Sequence, residues 1–198
     1  DSLNFYLGWE FSPPFRRNRI VDLLRTHTKL QVSDAIRIQS DITDYRHGEL
    51  ANLLPLAFEQ NTDDGSCEKA LALTLKSWDA AYGLNSSLPA LYQDYIAAIE
   101  RRLVPSAIGA FGEQVGSVRL SLFHTLRDGL KIRRREVIGA VRSSANELCR
   151  IGTKRQPWGK TNRARFHTFG ASDDEGPEEI EAPGATSTVF SQGRVRGT

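Results

Sequence analysis

The side chains most often used for chemistry occur in this sequence without the spacings that chemistry requires. The acidic pair at 63 and 64, followed by Gly65, lacks the remaining ligands of a calcium loop, so a polar turn is predicted there. Neither a glycine-rich phosphate loop nor a G-x-S-x-G nucleophile motif is present. The histidines have no metal-binding spacing, and each is predicted to be a surface or hydrogen-bonded polar residue. They are His27, His47, His124 and His167.

Cys67 and Cys149 are the only cysteines of the chain. Their separation is not a metal-binding spacing, and two thiols make no disulfide framework. We therefore predict two free or buried cysteines. A single disulfide between them is the alternative.

A basic stretch covers residues 131–165, which contain eleven lysines and arginines but only two acids, Glu136 and Glu147. The segment 173–181 then contains six acids. We interpret the basic stretch as a solvated surface whose charge is partly matched by this acidic segment. The alternative is a binding surface for nucleic acid phosphates, with Trp158 and Phe166 stacking on bases.

The elements that would position these residues are predicted to be helical over most of the chain. Pro14 precedes a predicted helix at Phe15–Arg25, and Ser33 is a suitable N-cap for the next helix. Pro55 is expected to break the apolar run around it, and Ser66 to cap another helix. The clearest helical stripe consists of Leu88, Leu91, Tyr92, Tyr95, Ile96, Ile99 and Leu103.

Two further helices are expected to end at Gly129 and Gly152. Helical periodicity stops after Gly152, the segment 173–181 is predicted to be an acidic loop, and Thr186 to Ser191 is predicted to be a strand. The sequence therefore predicts a mostly helical body with a loop-and-strand tail at the C-terminus.

The composition is that of an ordinary globular protein, with 39% hydrophobic residues, 25% charged residues and a net charge of +2. Charge alone therefore favours neither a nucleic acid nor a membrane partner. No apolar run is long enough to cross a bilayer. The chain contains no methionine, so we expect a processed product, an excised piece or an incomplete sequence.

Several stretches, in this order and at this spacing, resemble the penicillin acylase family of N-terminal-nucleophile hydrolases. The small departures from the family pattern are Ala80, where Gly is common, and Asn162, which stands in the place of the usual His. The stretches are YLGWEFSPPFRRNRIVDLL (6–24), LQVSDAIRIQSD (30–41), LKSWDAAYG (75–83), PWGKTNRARF (157–166) and APGATSTVF (182–190).

The resemblance implies an α+β chain that is a fragment of an α-β-β-α sandwich. Residues 1–152 would be the helical portion of the acylase large subunit, and 153–198 an irregular and strand portion that rejoins the sandwich core. Such enzymes hydrolyse an amide bond with an N-terminal Ser whose own α-amino group is the base, while an Asn and a backbone N–H hold the oxyanion. Asp1 is not that nucleophile, and Asn4 lies too close to the block that contains Arg16 and Arg19 to be the oxyanion Asn. We therefore expect the chain alone to be inactive.

Arg16 is the one functional position that the resemblance implies here, in a supporting role near the catalytic Ser. We place it on the same helical face as Ile20, Leu23 and Leu24, which are expected to be buried. No cofactor is expected. Some family members hold a structural calcium just upstream of this block, in the region of Asp1 or Asn4.

The expected partners are a small acyl-amide substrate, such as a β-lactam, a lipopeptide or an acyl-homoserine lactone, and the remaining N-terminal part and alpha subunit of a self-cleaving precursor. The expected location is periplasmic or secreted, and no nucleic acid or membrane span is expected. The alternative function is a non-catalytic helical interaction module that binds through the basic surface at 131–165.

Overall fold

The protein is a mostly helical α+β chain, seen in a computed structural model. The structure describes residues 14–59, 65–104, 116–166, 178–185 and 188–190. The helices are α1 (Phe15–Arg25), α2 (Val32–Gln39), α3 (Tyr45–Ala51), a 3-10 helix (Leu54–Phe58), α4 (Cys67–Ser77), α5 (Leu88–Leu103), α6 (Gly116–Lys131), α7 (Arg135–Ile151) and α8 (Trp158–Thr161). Two strands, β1 (Arg163–Phe166) and β2 (Glu178–Glu181), pair antiparallel.

Within the described ranges, no helix is both long enough and apolar enough to span a membrane. Both strands lie after residue 152, on the C-terminal side of the predicted boundary. The division of the chain at that boundary stays a prediction.

Several predicted helix limits are confirmed. α1 covers Phe15–Arg25 as predicted, and the Ser66 hydroxyl accepts a hydrogen bond from the Lys69 N–H at 3.3 Å at the start of α4. The expected break around Pro55 lies between α3 and the 3-10 helix. Gly152 ends α7 with a positive φ of 92°, a conformation that side chains with a Cβ rarely adopt.

Two other predicted limits are wrong. α2 begins at Val32 with Gln31 as N-cap, because the Asp34 carboxylate accepts from the Gln31 N–H at 3.1 Å and so fixes the start two residues before Ser33 can cap. Gly129 lies inside α6, and its small size serves packing. A Cβ at Gly129 would lie 2.5 Å from a methyl group of Val137, so glycine allows α6 and α7 to approach closely.

The predicted strand is also in the wrong place. The described residues 188–190 form a bend, and the rest of the stretch from Thr186 to Ser191 lies outside the described residues. Instead, β2 lies in the segment predicted to be an acidic loop. Pairing with a basic strand stabilises it, because Glu181 lies opposite Arg163 and Glu179 lies 3.4 Å from the Arg163 guanidinium.

The hydrophobic core lies where α4 and α5 pack against α7. The predicted stripe of α5 is confirmed, with Tyr95 and Ile99 fully buried, and Val141 of α7 is buried opposite them. The Tyr95 hydroxyl donates to the Val141 carbonyl at 3.1 Å, so the two helices are joined by a hydrogen bond inside the core. Burial of this stripe is the main reason that a long amphipathic segment becomes a stable helix.

The prediction of free cysteines is wrong. Cys67 at the start of α4 and Cys149 near the end of α7 form a disulfide, with their Cα atoms 6.1 Å apart. The packing of α4 on α7 brings together two residues separated by 82 positions, and a distance of this size suits a disulfide.

Candidate functional site

Residues 80–86, which we call the junction segment, join an early part of the chain to a late part. The Asp44 N–H donates to the Ala80 carbonyl at 2.9 Å, and the Tyr82 N–H donates to the Ile42 carbonyl at 3.0 Å. These bonds tie the segment to the link between α2 and α3. The junction segment follows Trp78 and Asp79, and its first four residues are the end of the family-like stretch 75–83.

The same segment binds the C-terminal part of the chain. The Gly184 N–H donates to the Tyr82 carbonyl and the Gly159 N–H to the Leu84 carbonyl, both at 2.9 Å. The Tyr82 and Trp158 rings are in edge-on contact, with centroids 5.0 Å apart. Backbone hydrogen bonds and one aromatic pair therefore bring three of the family-like stretches into contact, those at 75–83, 157–166 and 182–190.

Trp158 begins α8 and Asn162 is the C-cap of that helix. Both residues hold the segment that follows β2. The Trp158 indole N–H donates to the Gly184 carbonyl at 2.8 Å. The Asn162 amide donates to the Ala182 carbonyl at 2.8 Å, and the Ala182 N–H donates to the Asn162 carbonyl at 3.0 Å. Asn162 is buried, and both its side chain and its backbone carbonyl hold the segment that follows β2.

Gly184 is required by the turn that returns the chain towards α1. Its φ is +79°, and a Cβ at this position would lie 2.1 Å from the Phe190 carbonyl oxygen. Thr188 is buried inside the turn, where its hydroxyl accepts from the Ala185 N–H at 2.8 Å. The described residues of the turn are thus held by side-chain and backbone hydrogen bonds.

Arg16 contacts this turn. Its Nε donates to the Thr188 carbonyl at 3.0 Å, which joins the first turn of α1 to a residue 172 positions later. Most of the Arg16 side chain lies at the surface of the described residues. The structure therefore brings Arg16 and the last family-like stretch together, and its supporting role in catalysis stays a prediction.

The expected buried stripe of α1 is wrong. Ile20 and Leu23 are half-buried and Leu24 is 39% exposed, whereas Phe15 is buried against Phe123 with ring centroids 4.9 Å apart. One residue turns a helix by about 100°. Because Phe15 points into the core, Arg16 points away from it and is exposed.

Arg19 and Asp41 form a part of the site that the sequence did not single out. Arg19 Nε and Nη2 donate to the two Asp41 carboxylate oxygens at 3.0 and 2.7 Å, and this hydrogen bonding raises the pKa of Arg19. The Asp41 carbonyl accepts from the Phe190 N–H at 2.8 Å. Both residues lie in stretches that resemble the family. Their position in those motifs was the signal that could have identified them as site residues.

A buried polar cluster lies beneath the junction segment. Asp44 is fully buried, caps α3 by accepting from the Arg46 N–H at 2.9 Å, and accepts from the Tyr82 hydroxyl at 3.3 Å. Arg46 keeps a raised pKa in spite of its burial, because Tyr92 and Asp44 favour its charge. The cluster therefore anchors α3 to the junction segment.

His47 belongs to the same cluster and has the environment of a core residue. Its Nε2 donates to the Leu75 carbonyl at 3.0 Å, and its ring lies between Trp78 and Tyr92 at centroid distances of 4.4 and 4.3 Å. Burial lowers its pKa, which keeps the imidazole neutral. The prediction that His47 is a hydrogen-bonded polar residue is confirmed.

One arrangement has the distances of a nucleophile with a base. The Thr26 hydroxyl lies 2.9 Å from His27 Nδ1, and His27 Nε2 lies 3.3 Å from an Asp34 oxygen. However, Arg37 lies 2.7 Å from Nε2, and a guanidinium can only donate, so Nε2 accepts and Nδ1 carries the proton. The Thr26 hydroxyl instead donates to the Leu23 carbonyl at 2.7 Å, which ends α1.

Much of the predicted basic surface is neutralised by acids elsewhere in the chain. Arg133 pairs with Glu59, Arg155 Nε lies 2.5 Å from an Asp94 oxygen, and Lys160 Nζ lies 2.6 Å from a Glu181 oxygen. These pairs favour the interpretation of a solvated, partly matched surface over a continuous phosphate-binding surface.

No metal centre is formed by the part of the chain that the structure describes. Those residues contain no group of three His, Cys, Asp or Glu side chains that could hold a metal ion. Asp1 and Asn4, which the resemblance places near a structural calcium, lie outside the described residues, as does His167.

A comparison with protein families tests the resemblance found in the sequence. The penicillin amidase family model matches residues 1–197. The chain belongs to the penicillin amidase family. A search of curated proteins finds no match. Membership confirms the family predicted from the motifs, and it indicates an acylase-type hydrolase.

Proposed function

We propose that the protein carrying this chain is an amidohydrolase that cleaves an amide bond of an acylated substrate, such as a β-lactam, a lipopeptide or an acyl-homoserine lactone. The observation that carries this proposal is the family match over residues 1–197. The packing of the family-like stretches around the junction segment supports it, because separate motifs then serve one framework.

The proposed reaction uses an N-terminal Ser of the large subunit as nucleophile and its α-amino group as base, so that one residue supplies both partners. An Asn side chain and a backbone N–H would stabilise the oxyanion. In this proposal other parts of the precursor supply these groups, and the chain alone is inactive. No cofactor takes part, and a calcium ion, where present, is structural.

The contribution proposed for this chain is Arg16. The Thr188 carbonyl binds its Nε and so fixes the base of the guanidinium. Arg16 is exposed in this chain, and in the proposal its guanidinium binds carbonyl groups of the cleft that the rest of the precursor builds. The Cys67–Cys149 disulfide supports a periplasmic or secreted location, because disulfides persist in oxidising compartments.

Arg16→Lys in the complete precursor tests the proposal. Lysine keeps the charge but loses the planar arrangement of donors, so we expect self-cleavage or kcat/KM for acyl-amides to fall by about tenfold or more. Arg17→Lys is the matched control, because Arg17 is the exposed neighbour on the same helix. Gel analysis of processing and hydrolysis of a panel of acylated amines provide the measurements.

Equal responses of the two variants would show that Arg16 is an ordinary helix residue. The purified 198-residue chain is tested in parallel against the same panel. We expect no turnover above a boiled control, and turnover by this chain would refute the proposal that its nucleophile lies elsewhere.

A further inference from the structure

An open groove of about 840 Å³ lies between the start of α4 and the ends of α5 and α7. Its walls carry three arginines and two glutamates. Its lining residues are Phe58, Ser66, Glu68, Arg102, Arg142, Asn146, Glu147 and Arg150 among others.

The acids of the groove already have partners. Glu147 accepts from Arg101 at 3.2 Å and from Arg102 at 2.6 Å, so its charge is compensated. Glu68 accepts from the Asn146 amide at 3.0 Å. An incoming cation would therefore have to displace existing contacts.

The arginines of α7 are different. Arg142 donates through Nε to the Ala57 carbonyl, and its two terminal nitrogens make no hydrogen bond or ion pair with a described residue. The Arg150 guanidinium has no hydrogen bond or ion pair with any residue in the described ranges, although it lines the groove. Guanidinium groups in such positions favour carboxylates, which they bind through paired hydrogen bonds.

The spacing of these two arginines indicates the shape of the ligand. Residues eight positions apart on a helix lie about 12 Å apart along its axis and about 80° apart around it, and both of these arginines line the same groove. One carboxylate cannot bridge that distance, but two carboxylates about four residues apart on an extended peptide can. Ser143 and Asn146 lie between the arginines and offer polar groups for a peptide backbone.

We propose that this groove binds an acidic polypeptide segment of a partner protein in extended conformation, with two carboxylates on Arg142 and Arg150. The disulfide forms part of the groove's support, because Cys67 precedes Glu68 and Cys149 precedes Arg150. This binding function is separate from amide hydrolysis.

Fluorescence anisotropy with the complete protein tests the proposal. The probe is a labelled, end-blocked peptide of about nine residues, with glutamates about four positions apart in a serine background. We expect this peptide to bind and its lysine counterpart not to bind. Arg150→Gln should weaken binding about threefold to fivefold, the range for one partly exposed ion pair.

Arg142→Gln should have a similar effect, and the two changes together should weaken binding by about tenfold or more, because the sites are far enough apart to act independently. Arg135→Gln is the matched control, since Arg135 is exposed at the start of α7 and does not line the groove. The Arg150 side chain makes no hydrogen bond or ion pair with a described residue, so its variant tests the groove even if the Arg142 variant folds poorly.

Three results would overturn the proposal. They are the absence of binding by the glutamate peptide, equal effects of Arg135→Gln and Arg150→Gln, and equally strong competition by free glutarate, which would assign the groove to small carboxylates. Hydrolysis of acyl-amides should be the same in all these variants, so failure here leaves the proposed enzyme activity separately testable.

Discussion

Removal of the Cys67–Cys149 disulfide should lower the stability of the protein strongly. The bond closes a loop of 82 positions. In the chain-entropy description, a closed loop of that length restricts the unfolded chain by about 4.5 kcal/mol at 25 °C, which is an upper value because strain and residual structure reduce it. We therefore expect Cys67→Ser with Cys149→Ser to cost about 2–4 kcal/mol.

Urea unfolding followed by fluorescence measures this change in the free energy of unfolding, and the melting temperature should fall by about 5 to 15 °C. Reductant should lower the stability of the original protein by a similar amount and leave the double variant unchanged, which is the control for indirect effects of the reductant. Peptide mapping without reduction should recover residues 67 and 149 in one cross-linked fragment. Two free thiols, or a loss below about 0.5 kcal/mol, would refute the reasoning.

Two further predictions concern glycine and pH. Gly184→Ala should destabilise the protein by about 2–4 kcal/mol, because the φ of Gly184 is positive and the new methyl would overlap the Phe190 carbonyl. Gly83→Ala is the control and should cost far less, because the space around a Cβ at Gly83 is open. Urea unfolding measures both changes. Burial lowers the pKa of His47 in the folded protein, so the unfolded state binds more protons below its ordinary pKa of about 6.5, and stability should fall as pH decreases through that value. His47→Gln should flatten this dependence of stability on pH. The same dependence in the variant as in the original protein would contradict the assignment to His47.

Local patterns predicted the helices well. The stripe on α5 is long and regular, and burial against α7 rewards the same periodicity that the sequence displays. Gly152 was predictable for a related reason, since a glycine after the last apolar position can adopt the positive φ that ends a helix.

Pairings over long distances were not predictable in this way. The disulfide requires α4 to pack on α7, and no local pattern shows which helices touch. The strand β2 has the sequence EEIE, which has low strand propensity, and it forms because the basic strand β1 lies beside it.

The candidate site was predicted only in part. Motif order selected Arg16, but its partner Thr188 lies 172 positions away and is reached only through the turn at Gly184. The buried stripe expected on α1 was wrong because Ile20, Leu23 and Leu24 are apolar at helical spacing on a helix that the core contacts mainly through Phe15.

The junction segment also has a consequence for synthesis on the ribosome. Its early partners, Ile42 and Asp44, have already been made when Tyr82 emerges, whereas Gly184 follows about a hundred residues later. At about 5–20 residues per second, the Tyr82 carbonyl would lack its late partner for roughly 5 to 20 seconds. During that interval the backbone of the segment resembles an open sheet edge, the kind of surface to which another nascent chain or a chaperone binds.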